Sequence, residues 1–118
     1  MPKPKRGGRL AVQRLPNYTN AYIPRAKLDK YLLDPIKEPN KSRVFNSLGY
    51  NLGNTDQLEA DILDGLKHNS GAVFDKNEHG IPAEVIMELG IAKKGKIRTA
   101  WMYDNGSNKP RFVTAYPE

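Results

Sequence analysis

The sequence predicts an α+β fold: N-terminal helices packed on one face of a four-stranded antiparallel β-meander. Two features carry that expectation. Apolar residues recur at helical spacing as far as His68, then alternate with polar ones after Gly71. Asn105-Gly106, between two alternating runs, is a strong hairpin signal.

Residues 1–14 are rich in Pro and Gly and hold five basic side chains (Lys3, Lys5, Arg6, Arg9, Arg14) with no acid. They read as a flexible basic tail, either an arm that touches phosphates or a solvated linker. Residues 15–118 then form a single domain. The stretch 18–23 is short and β-prone. Pro24 suits the first turn of a helix, where its missing N–H costs nothing. Leu28, Tyr31 and Leu32 follow at helical spacing, and Asp34-Pro35 ends the helix because the residue before a proline avoids helical geometry. Asn40 is the expected cap of a second helix, 41–48, with Val44, Phe45 and Leu48 on one face and Gly49 at the stop. Asn54 or Thr55 caps the third helix, and Asn54 with Gln57 has capping-box spacing. Its stripe is Leu58, Ile62, Leu63 and Leu66, with Asp56, Glu59, Asp61 and Asp64 toward water. Acids early and Lys67-His68 late suit the helix dipole.

After Asn69-Ser70-Gly71 the period is 2. A short strand at 72–74 leads to a turn, Asn77-Glu78-His79-Gly80. The next run, 83–91, sets Val85, Met87, Leu89 and Ile91 on one side. Lys93-Lys94-Gly95 reverses the chain. Along 96–103, Ile97, Thr99, Trp101 and Tyr103 share one face; Arg98, Ala100 and Met102 share the other. Residues 111–116 are the last strand.

Composition narrows the chemistry. The chain has 118 residues and a net charge of +6, yet residues 15–118 carry 14 basic against 13 acidic side chains. The high isoelectric point therefore mostly describes the first 14 residues. Absence of cysteine excludes disulfides, thiolate metal sites and Cys nucleophiles. No apolar run approaches the ~18 residues of a membrane span, and the charged N-terminus does not read as a signal peptide. No P-loop, no G-x-G-x-x-G, no H-E-x-x-H and no G-x-S-x-G is present, so no cofactor or metal is expected.

What remains is a polarised domain. Between residues 93 and 111 six basic residues face one acid, Asp104; between 55 and 88 eight acids face two bases. Lys93, Lys94, Lys96 and Lys109, with Trp101, Tyr103, Phe112 and Tyr116 among them, make a surface on which a phosphodiester is held and a base stacked. The competing reading puts Trp101 and Phe112 in the core and leaves the Lys and Arg as solvated strand edges.

Three motifs carry a resemblance. Lys41-Ser42-Arg43-Val44-Phe45 with Leu48-Gly49-Tyr50, Arg98-Thr99-Ala100-Trp101-Met102, and the closing Pro110-Arg111-Phe112-Val113-Thr114-Ala115-Tyr116-Pro117 occur in order. Together they resemble a small, uncharacterised bacterial domain family found alone and at the C-termini of polymorphic toxins. The closing strand also resembles the endings of toxin ribonucleases: the RNase A-like contact-dependent inhibition toxins and the barnase/EndoU/colicin/RelE-type (BECR) nucleases. The resemblance covers about residues 15–118. It implies a BECR-like fold and metal-independent cleavage of RNA, tRNA included, by 2′-OH attack to a 2′,3′-cyclic phosphate. It also implies an acidic immunity protein as partner, a monomeric domain without a membrane, and a cytoplasmic site of action after delivery at the end of a secreted effector.

That reaction needs a proton acceptor, a proton donor and charge stabilisation on the phosphorane. Lys41, beside a helix N-terminus, and Arg98 and Arg111 are the candidate stabilisers. Thr114 is a candidate donor to a phosphate oxygen, and Tyr116 a candidate acid/base group or stacking platform. His79, in a turn, is the candidate proton carrier; His68 is explained by the helix dipole. Neither His sits in a motif matching the His pair of the RNase A-like toxins, so the general base is unassigned. A non-catalytic RNA- or protein-binding module, such as a phage or toxin-system adaptor, is the alternative.

Overall fold

The computed structural model describes residues 8–118. Among them are three α-helices and a five-stranded antiparallel sheet in the order β1-β2-β3-β4-β5. The strands are β1 (Arg9–Val12), β2 (Gly71–Phe74), β3 (Gly80–Leu89), β4 (Gly95–Asp104) and β5 (Pro110–Pro117). The expected four strands are β2 to β5. The fifth, β1, lies within the stretch expected to be a flexible tail. It pairs antiparallel with β2, Leu10 opposite Val73 and Val12 opposite Gly71. Its apolar run, Leu10-Ala11-Val12, is short and lies between arginines, and pairing with β2 makes it a strand. Residues 1–7 of the expected tail lie outside the described residues.

The stretch 18–23 is not a strand. It forms a 3-10 turn (Tyr18–Asn20), and Tyr22 then makes a single parallel bridge to Arg111. α1 (Arg25–Lys27) follows Pro24 and runs into a π-helical turn (Leu28–Leu32), in which the Leu33 N–H donates to the Leu28 carbonyl at 3.0 Å. The wider turn brings Leu28, Leu32 and Leu33 to the core together. Tyr31, expected on the buried stripe, instead faces out with the Lys27 and Lys37 ammonium groups 5.5 and 5.3 Å from its ring centre.

α2 (Pro39–Ser47) starts two residues earlier than expected. Pro39, not Lys41, opens it, and Glu38 rather than Asn40 stands at the cap; proline is pre-set for the first helical position. α3 (Thr55–His68) has the expected bounds and buries Leu58, Ile62 and Leu66 completely. The capping box does not form. The Asn54 amide serves the preceding loop, donating to the Gly49 carbonyl and accepting from the Asn51 N–H, and Gln57 turns along the helix to Asp61.

The helices cover one face of the sheet, burying Val85, Met87, Leu89, Ile97, Trp101 and Phe112. Trp101 packs edge-on to Phe112, ring centres 5.4 Å apart. Its indole N–H donates to Thr99 Oγ1, whose own hydroxyl donates to the Val85 carbonyl, so the polar atoms inside this core are satisfied. Trp101 is 1% exposed and is therefore no stacking platform for a base. Because side chains alternate and cross-strand partners share a face, Glu84, Ile86, Arg98, Ala100, Met102, Arg111, Thr114 and Tyr116 lie on the opposite face. A bulge at Ala100/Trp101 inserts Val113 into β5 and keeps Phe112 inward while Thr114 still pairs with Ala100.

Candidate functional site

β5 ends the sheet, and α2 packs beside it. Lys41, on the flank of α2 next to the buried Ser42, is thereby carried to β5. Its Nζ donates to Thr114 Oγ1 at 3.2 Å and lies 6.0 Å from the centre of the Tyr116 ring. It also pairs with Glu38, one turn back, at 3.3 Å. Residues singled out from two separate parts of the sequence, the second helix and the closing strand, are thus brought together.

Tyr116 lies directly across from Arg98 on β4. The Arg98 guanidinium is held on two sides: Nη1 donates to Glu84 Oε1 at 2.6 Å, and Nε and Nη2 donate to the two carboxylate oxygens of Glu118 at 2.9 and 2.7 Å. The Glu118 bonds, with the field of Glu84 behind them, raise the Arg98 pKa against the opposing effect of burial. Glu118 is correspondingly held below the usual carboxylate value, chiefly by its bond from Arg98. Glu84 is 8% exposed and sits in a cross-sheet row with Ala72, Ala100 and Thr114. The short alanine side chains leave Glu84 as the tall residue of that row. Beside it opens a cavity of about 180 Å³ lined by Arg9, Ser70, Gly71, Ala72, Glu84 and Ile86.

The remaining candidates stand elsewhere. Arg111 shares the sheet face but is closed onto Asp104 by two hydrogen bonds of 2.8 and 2.9 Å, which raise its pKa and depress that of Asp104. Strand rise puts Asp104 roughly 20 Å along β4 from Arg98, so Arg111 braces the far end of the sheet. His79 projects from the β2–β3 turn at 71% exposure beside Glu78, and its carbonyl accepts from the Asn105 N–H at that same far end. His68 pairs with Asp64 on the exposed end of α3. The basic residues do not form one stripe either. Lys93, Lys94 and Lys96 are at the β3–β4 hairpin, with Lys94 Nζ donating to the Gly90 carbonyl, while Lys109 is at the opposite, β4–β5 end.

Glu84, Glu118 and Glu38 were not anticipated as parts of a site. A signal for Glu84 was present: a charged residue inside an apolar run, on the side that alternation assigns to Arg98. Among the described residues no group of three or more His, Cys, Asp or Glu side chains is arranged to hold a metal ion. No helix among the described residues is long and apolar enough to cross a membrane.

The profile of a domain of unknown function, DUF6883, matches residues 14–118. The chain belongs to the DUF6883 family. That match spans α1 to α3 and β2 to β5 and leaves β1 outside it, so every residue of the Lys41–Thr114–Tyr116–Arg98 cluster lies within the DUF6883 domain. No curated protein and no solved structure is significantly similar to the chain.

Proposed function

We propose that this domain is a metal-independent toxin ribonuclease of the BECR kind, cleaving tRNA or other RNA to a 2′,3′-cyclic phosphate. The observation that carries the proposal is the meeting of Lys41 with Thr114 and Tyr116, at 3.2 Å and 6.0 Å, across a sequence separation that only the fold closes. An ammonium that meets a hydroxyl and stands 6.0 Å from a tyrosine ring centre, with a guanidinium across the strand, is a set suited to a phosphate whose charge grows during reaction.

In the proposed step the 2′-oxygen bonds to phosphorus and the bond to the 5′-oxygen breaks. Glu84 takes the 2′-hydroxyl proton, and the Tyr116 phenol gives one to the departing 5′-oxygen. Lys41 and Arg98 neutralise the phosphorane, and Thr114 donates to one of its free oxygens. The nucleophile is part of the substrate, so the scheme has no metal-activated water. As a toxin the domain acts in the cytoplasm of a target cell after delivery on a secreted effector, and an acidic immunity protein covers the Lys41 face.

A non-catalytic RNA- or protein-binding module is the second reading. It is favoured by the carboxylate partners that Lys41, Arg98 and Arg111 already hold, and by the distance of both histidines from the cluster. Incubation with tRNA in EDTA separates the two. The ribonuclease yields discrete fragments with cyclic phosphate ends, and a 2′-deoxy nucleotide at the cut position blocks the cut. Salt-sensitive retention of intact RNA is the mark of the binding module.

A further inference from the structure

We infer that Glu118 is a resident stand-in for phosphate on Arg98, which the substrate must displace. The ligand's identity rests on the ribonuclease proposal; the geometry does not. Nε and Nη2 form one two-pronged edge of the guanidinium, and both prongs donate to Glu118, one to each carboxylate oxygen. Two parallel N–H bonds of this kind fit a pair of phosphate oxygens as well as a carboxylate.

The two glutamates on Arg98 differ in what holds them. Glu84 is buried at mid-strand in β3, and its bond to Nη1 fixes the plane of the guanidinium from below. Glu118 follows the end of β5, and its side chain is 32% exposed. Its backbone N–H donates to the Lys96 carbonyl at 3.0 Å, which anchors the main chain and leaves the side chain free to swing into water. Departure of Glu118 therefore leaves the fork aimed at the same point, on the strand position that faces Tyr116. Exposed pairs are weak enough for a competing anion to break, and a buried, oriented one is not.

The test is a titration of the full chain with inorganic phosphate and with a non-cleavable 2′-deoxy dinucleotide, read from the NMR signal of the Arg98 side-chain Nε–H. Glu118→Gln keeps the shape and removes the charge. It is expected to bind phosphate about three- to tenfold more tightly than the wild type. Adding Arg98→Lys to that variant, followed on the backbone amide signal of Tyr116 across the strand, is expected to abolish the gain. Equal or weaker phosphate binding by Glu118→Gln, with the Arg98 signal moving in both proteins, overturns the role of Glu118 and leaves the anion site standing. An Arg98 signal that responds to neither ligand in either protein overturns the inference and the ribonuclease proposal together.

Discussion

Tyr50 shows how single side chains join the elements of this molecule. It is fully buried, its hydroxyl donates to Asp61 Oδ2 at 2.6 Å, and it accepts from the Gly90 N–H at 3.0 Å. Burial, and next the bond to Asp61, raise its pKa well above the ordinary tyrosine value, so it stays neutral and keeps donating. Tyr50→Phe strands the Gly90 N–H and one Asp61 oxygen. A loss of about 1–3 kcal/mol is expected in denaturant unfolding, and an unchanged midpoint would show that water replaces the hydroxyl. Sequence placed Tyr50 only within a motif and Asp61 only toward water; their pairing is a contact between a loop and α3 that no local pattern encodes. Lys41, Thr114 and Tyr116 were legible because motif order singled them out. Glu118 was not, and Glu84 showed only as a charge inside an apolar run, since what makes both notable is a shared guanidinium.

At the scale of elements, periodicity succeeded where packing and pattern agree. The bounds of α3 follow from its stripe and its polar ends, and β2 to β5 follow from alternation and turn residues. It fell short where tertiary pairing decides. β1 exists because β2 offers an edge, and the π-helical turn because three leucines must reach one core. The β3–β4 hairpin depends on Gly90, whose φ of 150° lies in a region closed to L side chains. A Cβ there would also overlap the Lys93 carbonyl oxygen. Gly90→Ala is expected to cost roughly 2–3 kcal/mol, measured by thermal or urea unfolding. A variant as stable as the wild type would mean that the hairpin re-forms with another turn.

Across the whole molecule, Arg98 and Arg111 of the open sheet face are paired with carboxylates: Arg98 with Glu84 and Glu118, Arg111 with Asp104. Asp104 is held below its ordinary value of 3.8 and Glu118 below 4.5, each chiefly by a hydrogen bond from its arginine. The unfolded chain therefore takes up these protons at higher pH than the folded one. The stabilisation is complete above the unfolded values and is lost as pH falls through the lower folded ones. Melting temperature is expected to hold from neutral pH to about 5 and to drop below about 4, with a shallower drop in Asp104→Asn. A melting temperature that rises on acidification would contradict this. The same face is where cleavage is proposed, and one measurement reaches that claim most directly: single-turnover cleavage of tRNA in EDTA by the wild type and by Lys41→Ala, with the melting temperatures of both recorded. Cyclic-phosphate products are expected from the wild type, and a rate at least ~100-fold lower in the variant at matched stability. Equal rates, or a folded wild type that leaves the RNA intact, would contradict the claim.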